Sequence, residues 1–78
     1  MKTIHYTERV DFVFGLTPLT LEKCYEANGW MHLEERTHNY LIQWYNYTIN
    51  GSYITVRNMP VSEIESVIRI VNGFNEIY

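Results

Sequence analysis

The 78 residues suffice for one domain, spanning 1–78. At that size a chain buries only roughly 60–65% of its unfolded surface, so its margin of stability is thin. A single cysteine, Cys24, excludes an internal disulfide framework, and the 46% of residues that are hydrophobic (15% aromatic) must supply the core instead. The formal charge of −3, from nine acidic and six basic residues, argues against nonspecific nucleic-acid binding, which needs a basic field.

No apolar run reaches the length of a membrane span, and the N-terminal residues lack the apolar core of a signal peptide. The expected location is therefore the cytoplasm. Richness in Tyr, Ile and Asn is what an AT-rich coding sequence produces, a pointer to a low-GC bacterium or its phage.

In chain order, His5 to Phe14 reads as a strand with one buried face, because Tyr6, Val10, Phe12 and Phe14 fall at even spacing and Gly15 ends the run. Thr17-Pro18 is a helix start, with Thr as N-cap and Pro where a missing N–H costs nothing. Leu21, Cys24, Tyr25 and Asn28 then follow at helical spacing, and Gly29 reads as a left-handed cap. Trp30 to Glu35 reads as a strand, with Arg36 to Asn39 as the turn into the next.

Tyr40 to Asn58 carries the strongest local signal. Two β-prone runs flank Asn50-Gly51, which predicts a tight hairpin with a type I′ turn and positive φ at both residues. With those two as the loop, Ile49 opposes Ser52, Tyr47 opposes Ile54 and Tyr45 opposes Val56, and this face belongs to the core. Tyr40, Ile42, Trp44, Asn46 and Thr48 then share the other face with Tyr53, Thr55 and Arg57. The last element is a helix. Ser62 to Glu65 has capping-box spacing, with Asn58 and Pro60 as a rival start one turn earlier. Val61, Ile64, Ile68 and Val71 form its stripe with Val67 beside them, Asn72-Gly73 closes it, and Phe74 is positioned to fold back.

These elements predict an α+β fold: a small, mainly antiparallel sheet of about four strands in the order β-α-β-β-β-α, with two helices packed on one face. Ile64, Ile68 and Val71 should be buried with Leu21, Ile54 and Val56.

Chemistry is sparse in this sequence. His32, Glu34, Glu35 and His38 are competent metal ligands by type. A strand splits them between two faces, while a helix would gather His32, Glu35 and His38, with no further ligand in view. The expectation is a solvated polar turn and no metal or other cofactor. Cys24, on an apolar stripe late in its helix, reads as a small buried hydrophobe rather than a nucleophile. Glu34 and Glu35 are adjacent and cannot share a substrate on a strand, and the four glycines are scattered, so no phosphate loop exists. No enzyme activity is expected.

What remains is the outer sheet face. Tyr40, Trp44, Tyr53 and Arg57 are the residue types that dominate interface hot spots, and two helices in so small a domain cover only one face of a sheet. Carboxylates Glu34 and Glu35 would tune association with a basic partner. The expected function is a non-enzymatic protein-binding module, of the kind a phage or mobile element uses to inhibit a host nuclease or defence protein by occupying its surface. Two alternatives stand beside it: a structural homodimer through the aromatic face, and a single-stranded nucleic-acid-binding sheet in which the same rings stack bases.

Overall fold

The computed structural model describes residues 8–73, so the expectations for His5 to Thr7 and for Phe74 lie outside the described residues. The elements are β1 (Arg9–Gly15), α1 (Pro18–Lys23), β2 (Tyr25–Ala27), β3 (Trp30–His32), α2 (Glu35–Leu41), β4 (Asn46–Asn50), β5 (Tyr53–Pro60) and α3 (Ile64–Asn72), the last entered through a 3-10 turn over Val61–Glu63. The mixed α+β class with antiparallel pairing is as expected, but the single four-stranded sheet is not. Two sheets form, one of three strands in the order β1-β5-β4 and one of two, β2-β3.

Two misread segments account for the difference. Thr17 does cap α1, its hydroxyl accepting from the Thr20 N–H at 3.2 Å. The helix then ends at Lys23 instead of running to Asn28, and Tyr25 to Ala27 pair with Trp30 to His32 across Asn28-Gly29. Those two residues take φ of 56° and 83°, the left-handed pair that a type I′ turn requires. Gly29 is thus a hairpin residue and not a helix cap. A second correction concerns Arg36 to Asn39, which are helical. The Glu34 carboxylate caps α2 by accepting from the Thr37 N–H and hydroxyl, each at 3.4 Å, and the helix buries Leu41 completely.

The three-stranded sheet is centred on β5, which pairs with β1 on one side and β4 on the other. At the hairpin the loop residues are Gly51 and Ser52, because Asn50 already pairs with Tyr53. Only Gly51 has positive φ, 64°, so the turn has the type II′ pattern and Asn50 belongs to the strand. Moving a two-residue turn by one position changes each partner by two, which leaves the faces as they were. Ile49 therefore opposes Ile54, and Tyr47 opposes Val56, on the core side as expected.

Further along β5, Arg57 and Asn58 together oppose Asp11, a bulge with Asn58 at φ 57°. The Asn58 N–H donates to the Asp11 carboxylate at 2.9 Å, and the Arg9 guanidinium donates to the Asn58 carbonyl at 3.1 Å. The extra residue reverses the alternation, so Met59 faces inward with Ile54 and Val56; all three are fully buried.

The core gathers Leu16, Leu33, Leu41, Tyr45, Ile49, Ile54, Val56, Met59, Val67 and Val71, with Phe12, Phe14, Leu21, Cys24, Tyr47 and Ile64 partly buried against it. Ile54, Val56 and Val71 are where the pattern placed them. Leu21, Ile64 and Ile68 are only half-buried, and Val67 forms the centre of the α3 stripe. Val61 sits on the 3-10 turn and is exposed, and no side chain caps α3, so the capping-box reading fails as well. Asn72 is the one buried polar residue among those described. Its Oδ1 accepts from the Thr17 N–H at 3.0 Å and its Nδ2 donates to the Gly15 carbonyl at 3.1 Å, so the end of α3 holds the β1–α1 junction. No helix among the described residues is long and apolar enough to cross a membrane.

Candidate functional site

The helical geometry of Glu35–Leu41 removes Tyr40 and Trp44 from the sheet. Tyr40 lies on the outer side of α2, and Trp44 lies in the turn between Leu41 and β4, where it is 68% exposed. Arg57 and Tyr53 do sit on the outer sheet face, at opposite ends of the hairpin, opposite Asn46 and Asn50 respectively. Their outward neighbours are Thr48, Thr55 and, on β1, the exposed Val13, so the outer sheet face is mixed and mainly polar and not the aromatic platform expected. Arg57 donates to the Thr48 hydroxyl at 2.6 Å. Glu34 is engaged as a helix cap, and Glu35 is exposed beside it.

The exposed rings gather elsewhere. Leu41 is anchored in the core, so the chain leaving α2 must turn over the surface, and this puts Ile42 and Trp44 outward. Trp44 lines one groove with Tyr40, Glu63 and Ile70, and a second with Ile42, Asn46 and Arg57. Ile42 in turn lines a third groove, of about 290 Å³, with Trp30, Met31, His32, His38 and Tyr47. Trp30 is 64% exposed and Ile42 50%. The three grooves thus adjoin around the α2–β4 turn, and five exposed residues, Trp30, Met31, Tyr40, Ile42 and Trp44, border them. Of the expected contact residues, Tyr40, Trp44 and Arg57 border these grooves, and Tyr53, Glu34 and Glu35 do not. Trp30, Met31 and Ile42 were missed; Asn28-Gly29, read as a hairpin turn, would have found the first two.

The third groove brings together three titratable side chains, His32, His38 and Tyr47. His32 Nε2 lies 3.1 Å from the Ala27 carbonyl, and Tyr25 stacks on its ring with centres 5.5 Å apart. His38 meets His32 with ring centres 5.1 Å apart and planes nearly perpendicular. His38 Nδ1 is 2.6 Å from the Tyr47 hydroxyl oxygen, which also accepts from the Leu33 N–H at 3.0 Å. Burial pushes the Tyr47 phenol up from its ordinary pKa, and the Leu33 hydrogen bond partly opposes that. The helical grouping of His32, Glu35 and His38 is thus half realised: the two imidazoles meet, although no cluster of three or more His, Cys, Asp or Glu among the described residues is arranged to hold a metal ion.

Cys24 lies nearby, packed against the core. Its thiol donates to the Thr20 carbonyl at 3.4 Å, and burial pushes its pKa up, the reverse of what a nucleophile needs. At the foot of β4, the Tyr45 hydroxyl donates to the Glu63 carboxylate. Burial first, and then that carboxylate, push the Tyr45 phenol up to about 12.

Compared with known proteins, the chain matches no family model, no curated protein and no solved structure.

Proposed function

We propose that this chain is a non-enzymatic protein-binding module whose contact surface is the belt around the α2–β4 turn. The observation that carries the reading is the continuity of Trp30, Met31, Ile42, Trp44 and Tyr40 along three adjoining grooves. Large exposed apolar side chains scattered singly need no explanation, but a contiguous set with aromatic members is the composition of an interface core. Tryptophan and tyrosine bring large contact area at small entropic cost, and Arg57 at the belt's edge adds a directional donor. In its more specific form the module is an inhibitor that covers a surface of a host nuclease or defence protein, a reading supported by a composition of the AT-rich type. The exposed Glu35 would then raise the association rate with a basic target in a salt-dependent way.

The test is affinity capture from bacterial lysate with the tagged chain, followed by affinity measurements on the captured protein. Trp44→Ala should weaken binding by about 2 kcal/mol or more, whereas Thr55→Ala on the polar sheet face should leave it within about half a kcal/mol. Equal affinity for wild type and both variants would remove the belt from consideration. Light scattering on the isolated chain addresses the homodimer, in which a second copy would cover the same rings. A dimer that Trp44→Ala dissociates would favour that reading over a foreign target.

A further inference from the structure

We propose that His32 and His38 form a two-imidazole binding site for a borderline divalent transition metal of the zinc class. The site lies in the third groove of the belt, and it stands or falls without the protein-contact reading. Three features of the groove carry it. First, α2 and β3 come from opposite sides of the Leu33-Glu34 connection and bring the only two described histidines together, with ring centres 5.1 Å apart. Zinc–nitrogen bonds of about 2.0–2.1 Å, plus about 1.1 Å from nitrogen to ring centre, put two imidazoles on one tetrahedral ion with centres about 5.2 Å apart. The observed separation is of that size, and the planes, 85° apart, leave the two rings edge to face.

Second, each ring has one nitrogen engaged, and the other makes no hydrogen bond among the described residues. His32 Nε2 donates to the Ala27 carbonyl, which leaves the Nδ1 lone pair available. His38 Nδ1 is 2.6 Å from the Tyr47 oxygen, which accepts from the Leu33 N–H; in the tautomer with the proton on Nδ1, that oxygen accepts from both and the Nε2 lone pair is left for a metal. A backbone carbonyl or oxygen partner on the non-ligating nitrogen is the arrangement that orients metal-binding histidines. Third, Tyr25 stacked on His32 limits rotation of that ring, so part of the ordering cost is already met by the fold.

Zinc, nickel and copper suit imidazole nitrogen, whereas calcium and magnesium require oxygen ligands. With two protein ligands, the remaining coordination positions would be filled by water, so the ion would exchange readily and bind more weakly than at a four-ligand structural site.

The experiment is a titration of the full chain with zinc, followed by calorimetry and by histidine ring nitrogen signals in NMR, with calcium in parallel. The expected result is one zinc per chain, ring-nitrogen shifts at His32 Nδ1 and His38 Nε2, and no response to calcium. His32→Gln and His38→Gln should each weaken zinc binding at least tenfold, while His5→Gln keeps wild-type affinity. The wild-type NMR shifts decide the matter even if a variant fails to fold. Absence of saturable binding, shifts confined to His5, an equal response to calcium, or one zinc shared between two chains would each overturn the proposal.

Discussion

Asn28-Gly29 and Asn50-Gly51 are the same dipeptide between β-prone runs, yet the chain turns on them differently. In the first, both residues take positive φ and form the loop. In the second, Asn50 stays in β4 and the loop moves on to Gly51-Ser52. The dipeptide proposes a turn in each case, and the flanking side chains decide where it goes. Around Asn28-Gly29 they have little to decide: Tyr25, Trp30 and Met31 are exposed, so local preference for a type I′ turn prevails. Around Asn50-Gly51 the shifted loop sets Ile49 directly opposite Ile54, and Tyr47 opposite Val56. On the other side of β5 the same two residues meet Phe14 and Phe12. Such cross-strand pairs contribute roughly 0.2–1 kcal/mol each, and together they outweigh the preference for one turn type over another.

The largest effect follows from the buried side of that comparison. Ile54 is fully buried between Phe14 and Ile49, so Ile54→Ala should cost about 2–5 kcal/mol, enough to unfold much of a domain this small. Trp30→Ala, in the exposed hairpin, should stay within about half a kcal/mol of wild type. Thermal unfolding measures both. Comparable losses for the two variants would mean that the β2–β3 hairpin is as integral to the core as the β4–β5 hairpin.

The turn residues give a sharper contrast. Gly29 and Gly51 have φ of 83° and 64°, and an added Cβ at either would meet nothing within 4 Å, so a side chain there costs only backbone strain. Gly51→Val should lose about 1–2 kcal/mol or more of global stability. Gly29→Val carries similar strain but should appear mainly as loss of hydrogen-exchange protection within residues 25–32, because that hairpin can open alone. One step smaller, Asn28→Ala should cost about 1 kcal/mol, since Asn28 is left-handed, while Asn50→Ala should be nearly neutral. Equal costs for the two asparagines would return the loop to Asn50-Gly51.

How much could be read in advance follows the same division. The Thr17-Pro18 start, the strand through Phe12 and Phe14, and the inward set of Tyr45, Tyr47, Ile49, Ile54 and Val56 were legible because each is a local signal or a period-two pattern. The last of these survived a wrong turn because a one-residue shift of a two-residue loop preserves parity. Leu21-Cys24-Tyr25-Asn28 has helical spacing by coincidence, and only pairing with Trp30 to His32 makes Tyr25 to Ala27 a strand. Arg36 to Asn39 are polar enough for a turn, and their helicity depends on the Glu34 cap and on Leu41 reaching the core. That misreading displaces the expected surface too: on α2 and its turn, Tyr40 and Trp44 share a groove with each other, and Trp44 shares one with Ile42, instead of lying on the sheet with Tyr53. The two histidines were noticed as well, but as a strand-and-turn pair they could not be seen to meet.

The smallest expected effect concerns the root of the buried hairpin, where Tyr45 ties β4 to the 3-10 turn through Glu63. The folded chain holds the Tyr45 proton up to about 12, against an ordinary value of 10.0. Folded and unfolded chains are both protonated there below pH 10, so the contribution of this group is fully present in that range. Between about 10 and 12 the unfolded chain releases the proton first, and stability falls as pH rises. The Glu63 end is open to solvent, which weakens the coupling, so Tyr45→Phe should cost only about 0.5–1 kcal/mol at neutral pH. Its signature is the slope, since the variant should lose stability less steeply than wild type across that alkaline window. Tyr47→Phe serves as the comparison, because burial raises the Tyr47 phenol too, but its hydrogen bond comes from the Leu33 N–H and not from a carboxylate. If Tyr45→Phe leaves the alkaline slope unchanged while Tyr47→Phe flattens it, the proton that matters to the fold belongs to the histidine groove and the β4–β5 root is held by packing alone.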